Sequence, residues 1–375
     1  MKNEINLSAV YYVKNQVFNV GENGTKQYFD PIARKKVAYG SATNVKHCLK
    51  EEFINILGIE PPKKVFVKTK SKKGDKESEN AQGGVSTLID LKNPVNAIFG
   101  AWNACQRDFG GEKFLQLAIK SALRIGQFAP IHPYLCADNT QCGCHNGDYN
   151  SVLGLKLGDK IYTNIDDIPQ NTISQKEAKE FFESERKMNF YKLNTTTSGI
   201  YRLNIHIEMD KFGLVDLCQC QLSEEEIGKY LESGFYKYLI NNKEYLGPSK
   251  EDRINLFRAL VDALFSWNFQ SNNSNCGDEK ELLRTTVSHN NAHLWQTATY
   301  AEIVDTDKKE AQLVFAESNP TYKEKLIAND VFSFNTPLLQ QYYNTTENNI
   351  ECDWNAIENT KEKMMTFAEK IINNQ

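Results

Sequence analysis

Residues 34–57, RKKVAYGSATNVKHCLKEEFINIL, gather residue types suited to holding phosphate. Arg34, Lys35 and Lys36 lead into a Gly40–Ser41 turn, and Asn44, Lys46, His47 and Lys50 follow on a segment with helical spacing. Ser41 is placed to cap the first turn. The backbone N–H groups that a helix leaves unpaired there, with Lys46 and Lys50 behind them, suit an anion. Val45, Cys48, Leu49, Phe53, Ile56 and Leu57 fall on a core-facing stripe, while Thr43, Lys46, His47 and Lys50 share another side. The alternative reading of the same spacing is a surface helix with solvated lysines.

A second group is Cys136, Cys142, Cys144 and His145, four metal-ligating side chains within ten residues, with Cys218 and Cys220 available from elsewhere. The spacing is not that of a standard zinc finger, and a loop of reduced thiols without metal is the competing reading. His289 and His293 lie four apart in a segment that alternates like a strand, which separates them and makes them surface residues or ones that face whatever the basic segment holds. No nucleophile elbow, phosphate-binding loop, zinc-protease or dinucleotide motif occurs in the sequence. No catalytic residue and no cofactor other than zinc is therefore expected.

The elements that must position these groups read as follows. Residues 5–20 form one long strand with a polar face, broken by Ser8, Lys14, Asn15 and Asn19. A helix spans 42–57 and stops at Pro61 and Pro62. From 68 to 84 apolar periodicity disappears, which predicts a mobile basic loop. Asn93 and Pro94 start a helix with Val95, Ile98, Phe99 and Trp102 on its apolar face, and a second helix is expected over 111–123. Residues 124–135 are extended edge segments and 175–189 a charged helix. Tyr201, Leu203, Ile205 and Ile207 alternate with Arg202, Asn204, His206 and Glu208 in a clear strand. A helix over 250–268, further strand character after 284 and a C-terminal helix from about Trp354 complete the order. This succession fits an α+β, ferredoxin-like (RRM-like) core in one domain, with large insertions near 60–90 and 130–195.

The chain is 375 residues long with 40% hydrophobic residues, ample for a buried core. It holds nine cysteines, and its first residues are too polar for an export leader. A reducing, cytoplasmic setting is therefore expected, with no membrane span. Net charge is −4, yet Lys26 to Lys76 holds 13 Lys or Arg against 5 Asp or Glu. Segregation of this kind suits a polyanion lying along one groove and disfavours general coating of duplex DNA.

The order of strand, basic segment, glycine–serine turn and lysine-bearing first helix resembles the backbone subunit of the CRISPR Cascade complex, the Cas-seven or DevR family of the RAMP group. The likeness is followed over roughly 60 N-terminal residues and more loosely from 195 to 305. It implies the ferredoxin-like core and a guide RNA held through Arg34, Lys35, Lys36, Ser41, Asn44, Lys46, His47 and Lys50. It also implies contacts from a late loop, here Asn272, Asn273, Ser274 and Asn275 with Arg284 beyond it, although this loop has a single glycine, Gly277. The implied role is a non-enzymatic scaffold of a class 1 effector complex, type I favoured, in antiviral defence. It would polymerise with copies of itself and with other effector subunits along the CRISPR guide RNA and offer it to complementary target DNA. Two alternatives stay open: a type III-like subunit that cuts target RNA with Asp30, and an RRM-like RNA-binding module outside CRISPR.

The zinc and thiol readings of the cysteine group predict different metal contents. A zinc loop carries about one equivalent of metal, which the Cys142→Ser, Cys144→Ser double variant should not retain. Metal analysis of the native protein that finds none leaves the thiol reading.

Overall fold

The computed structural model describes the chain apart from residues 1–2, 17, 19, 22–23, 69–71, 74–75, 78–82, 103–107, 110–111, 114–117, 142–154, 158–159, 163–193, 220–221, 270–279, 291–295 and 345–349. It is an α+β arrangement of helices and antiparallel strands. In chain order, the elements that frame the site are β1 (Glu4–Gln16), β2 (Gln27–Asp30), β3 (Lys35–Ala38), α1 (Ala42–Leu57), β4 (Leu123–Ile125), β5 (Ala129–Pro130), β6 (Cys136–Gln141) and β7 (Asn194–Glu208). They continue with α2 (Lys250–Ser266), β8 (Lys280–His289), β9 (Thr299–Asp305), β10 (Glu310–Phe315), α3 (Pro320–Ala328), β11 (Val331–Asn335) and α4 (Ala356–Asn373). A 7-stranded sheet sets β7, β1, β8 and β11 side by side, with β4, β5 and β6 along the outer edge of β7. Among the described residues no helix is long and apolar enough to cross a membrane.

β1 sits at the centre because its alternation serves two layers. Ile5, Leu7, Ala9, Tyr11 and Val13 join one buried cluster with Leu49 and Phe53 of α1, Leu260 and Leu264 of α2, and Met364 and Ile371 of α4. Val10, on the opposite face, joins Ile200, Leu283, Leu313, Phe315 and Leu339 under the β9–β10 hairpin. The polar face expected for β1 is therefore not a wet one: Asn6 and Ser8 are 0% and 4% exposed. Asn6 donates from Nδ2 to Ser288 Oγ at 3.3 Å, and its Oδ1 lies 2.7 Å from His206 Nδ1. That pairing makes Nδ1 of His206 the protonated nitrogen. Burial first and Arg124 second hold the His206 pKa below its ordinary value, with Glu4 opposing.

Other expectations change. The helix expected over 111–123 is not formed in its described residues, where Glu112–Lys113, Ala118–Ile119 and Leu123–Ile125 are strands. The helix at 94 does form, capped by Asn93, but it ends at Phe99 and leaves Trp102 61% exposed. The lysine-rich stretch after 63 is not a plain loop: Lys64–Lys68 pairs with Gly83–Thr87, and Lys72–Lys73 with Lys76–Glu77. The charged helix at 175–189 lies outside the described residues. A further insertion, unread in the sequence, separates β7 from α2 and carries the helix Glu224–Glu232 and the hairpin Tyr236–Ile240 with Lys243–Gly247.

Arg284 is the clearest correction. It is 0% exposed, so it cannot meet RNA from the surface. Its guanidinium forms an ion pair with Glu317, donates to Thr299 Oγ1 at 2.8 Å and Asn335 Oδ1 at 2.6 Å, and lies over the Phe315 ring. One side chain thus ties β8 to β9, β11 and the turn after β10. Arg284→Ala leaves Glu317 largely buried without this partner and should cost about 3–5 kcal/mol in urea unfolding. A variant of unchanged stability would contradict this structural role.

Candidate nucleic-acid interface

The basic tract begins on a hairpin. β2 and β3 pair with Phe29 opposite Lys36 and Asp30 opposite Lys35. Asp30 shapes the turn: its Oδ1 accepts from the N–H groups of Ile32 at 3.0 Å and Ala33 at 2.8 Å. Arg34 takes a left-handed φ of 50° to complete it. Phe29 and Ile32 stand 58% and 85% exposed beside the exposed Arg34 and Lys36, an apolar and basic tip that reading the sequence did not anticipate. The signal was present in the alternation, since Tyr28 and Val37 pair on the inward side and leave Phe29 outside.

Lys35 belongs to the fold. Its Nζ donates to the carbonyls of Pro133, at 3.2 Å, and Cys136, at 2.5 Å, and so ties β3 to β6. Cys136 is buried and donates from Sγ to Pro133 O at 3.3 Å, and burial pushes its thiol up to about 11. Cys142, Cys144, His145 and Cys220 lie outside the described residues; Cys218 is exposed. Among the described residues no cluster of three or more potential metal ligands occurs.

Gly40 and Ser41 divide the work at the start of α1. Gly40 exchanges both backbone hydrogen bonds with Phe128, each 2.9 Å, and Ser41 Oγ accepts from Asn44 N at 3.4 Å. α1 then buries Val45, Cys48, Leu49, Phe53 and Ile54; Ile56, expected inside, is 40% exposed. The opposite side carries Lys46, His47 and Lys50, with Asn44 accepting from Cys48 Sγ at 3.8 Å and His47 3.8 Å from Glu51. Lys46 and Lys50 are half-buried and form no ion pair among the described residues. Burial and then Lys50 lower the Lys46 pKa; burial and then Lys64 lower that of Lys50, with Glu51 opposing. Lys50 thus repels Lys46 on one side and Lys64 on the other, and Glu51 offsets this only in part at Lys50, a field that an anion would relieve.

No family model and no curated protein matches the chain. Among solved structures it is similar to a chain of a CRISPR RNA-guided surveillance complex at 11% identity and TM-score 0.45, covering 96% of this chain and 98% of that one. It is also similar to a chain of a CRISPR RNA-guided surveillance complex, pre-nicking, at 9% identity and TM-score 0.49, covering 96% and 100%.

Asn272, Asn273, Ser274 and Asn275 lie outside the described residues, but both ends of their loop are placed. Phe269 packs against Gly40, and Lys280 donates from Nζ to Trp267 O at 2.5 Å while lying 3.5 Å above the Trp267 ring. Phe269, the last described residue before this segment, thus sits beside the start of α1. His289 is half-buried with its ring stacked on Phe367, and His293 lies outside the described residues.

The lowered lysine pKa values carry a sign. The folded state holds these protons less tightly than the unfolded one, so the amines oppose folding at neutral pH, and that opposition fades as pH rises toward about 10.4. Lys46→Gln with Lys50→Gln should therefore leave the thermal midpoint unchanged or raised at pH 7, with the difference from wild type shrinking in alkaline buffer. A midpoint that drops would class these lysines with Lys35 as structural.

Proposed function

We propose that the chain is a guide-RNA-binding backbone subunit of a class 1 CRISPR effector complex, with type I favoured. The observation that carries the reading is the α1 face, where Lys50 stands between the like charges of Lys46 and Lys64, on a helix whose start at Gly40 packs against Phe269. Such a surface holds a strand by its phosphates and leaves the bases to be read by pairing. The fold supports it. In chain order β1, α1, β4 to β6, β7, α2 and β8 give a sheet with β7 and β8 flanking β1 and α1 and α2 in one core, an order that fits the proposed ferredoxin-like domain with insertions. In this reading the partners are guide RNA, complementary DNA, further copies of the chain and other effector subunits.

The role is a scaffold without cleavage. Asp30 supports this, because its carboxylate already organises the β2–β3 turn, although a type III-like nuclease using Asp30 is the rival with a residue behind it. An RRM-like module outside CRISPR would bind RNA without assembling along a repeat-derived transcript.

Co-expression with a repeat–spacer transcript should yield large particles that contain that RNA. In the Lys46→Ala, Lys50→Ala variant guide binding should weaken, and the salt slope should flatten by about 0.7 for each phosphate the variant no longer neutralises. The wild-type particle should bind complementary strands and leave them intact with magnesium present. Regularly spaced cuts that vanish in Asp30→Ala would promote the nuclease, and particles lacking repeat-derived RNA would end the CRISPR reading.

A further inference from the structure

On the face of the central sheet opposite α1, a cavity of about 550 Å³ opens between β7, the β9–β10 hairpin and the start of α3. Its size falls within the range of small-ligand sites, about 300–1,000 Å³. Arg202 forms part of its lining and projects on this face because its neighbours Tyr201 and Leu203 belong to the helix-side core. Among the described residues no other charged side chain lines the cavity.

Arg202 is held but not neutralised. Its Nη1 donates to the carbonyls of Thr299, at 3.1 Å, and Gln296, at 3.4 Å. No carboxylate pairs with it among the described residues, and its Nε–Nη2 edge, the fork that matches a phosphate or carboxylate, takes no protein acceptor there. The nearby Arg284 shows the contrast, since it already holds Glu317. Burial alone lowers the Arg202 pKa, with no acid opposing it. Around this cation the lining mixes aromatic and apolar side chains with small polar ones such as Ser318 and Asn319: Tyr300 and Tyr322 are 47% and 49% exposed, and Phe315 and Ile131 lie deeper.

A purely apolar ligand would leave the desolvated guanidinium without an anion, and a bare phosphate would leave the tyrosine rings unused. A nucleotide satisfies both. We propose that this cavity binds a nucleotide, its phosphate on the Nε–Nη2 edge of Arg202 and its base against Tyr300 and Tyr322. The inference does not depend on the guide-binding face, which lies on the other side of the sheet. The same chemistry is offered by a free mononucleotide and by one unit of a single strand.

The test titrates the full chain with 5′-AMP, adenosine and a six-nucleotide single-stranded RNA, followed by ligand-observed NMR and calorimetry. Adenosine should bind roughly tenfold or more weakly than AMP. Arg202→Gln should abolish that preference, and Tyr300→Ala or Tyr322→Ala should each weaken binding by roughly 5- to 100-fold. The tyrosine variants change exposed rings and keep the test decisive if Arg202→Gln fails to fold. AMP binding as tight as the strand identifies the free nucleotide as the source; strand binding that far exceeds AMP yet disappears in Tyr300→Ala identifies a unit of a chain. The Lys46→Ala, Lys50→Ala variant should retain AMP binding whatever becomes of its guide binding. No signal from AMP or the strand at millimolar concentration, or a signal unchanged by all three cavity variants, overturns the proposal.

Discussion

At Gly40 the backbone passes between aromatic rings with no room for a side chain. A Cβ there would lie 2.8 Å from the end of the Phe269 ring and 3.2 Å from Phe128 Cβ. Phe128 is itself locked by Tyr201, stacked at 5.3 Å, and by Phe269 at 5.4 Å, while the Tyr201 hydroxyl donates to Ala38 O at 3.1 Å. The end of β3, the start of α1, the sheet edge and the root of the 270–279 loop therefore meet at one point. Ser41 follows immediately as the helix cap, so the direction in which Lys46 and Lys50 project is set by ring packing a few residues upstream. The glycine that reads in sequence as part of a phosphate turn serves a steric purpose; the helix cap begins one residue later, at Ser41.

Where burial was one-sided and continuous, the sequence disclosed the structure. The apolar stripe of α1, the alternation of β7 and the long stripes of α2 and α4 specify both element type and buried face. The stripe of α1 fails only at its last turn, where Gly58 adopts a left-handed φ of 61° and the chain leaves the core, so that Ile54 is buried in place of Ile56. The 111–123 segment misleads for the opposite reason. Its periodicity is helical, but the backbone is drawn into strand pairing, Ala118–Ile119 with Ala101–Trp102 and Leu123–Ile125 with β7, and tertiary pairing overrides a weak local preference. The second layer over β1 was illegible because its cover, the β9–β10 hairpin, comes from nearly 300 residues away in sequence.

The candidate interface was legible in its residue types but not in their division of labour. Of the cations singled out in the sequence, Lys35 and Arg284 serve the fold, the first bonded to two carbonyls and the second to Glu317. Lys46 and Lys50 remain on the outer side of α1, in no ion pair among the described residues. Nothing local separates these classes, since a lysine in a strand looks the same whether its amine reaches a carbonyl 100 residues away or faces solvent.

This division also bears on how a chain of net charge −4 would hold a polyanion in the proposed role. A cation paired with a buried acid adds little to the outer field, because the acid offsets it at short range, whereas one bonded to carbonyls keeps its charge but has donors already spent inside the fold. Lys280, seated on the Trp267 ring and bonded to its carbonyl, and Arg253, bonded to Phe212 O and Met209 O, are of this kind. What an approaching strand would sense is the residue of charge and donors left after the fold has used its share. Along α1 that residue is concentrated in half-desolvated amines, whose low-dielectric surroundings strengthen their attraction for phosphate over that of a fully solvated lysine. The same logic singles out Arg202 on the far face. Bulk charge is therefore a poor guide to either surface, and the arrangement of cations that the fold leaves without an acid is a better one.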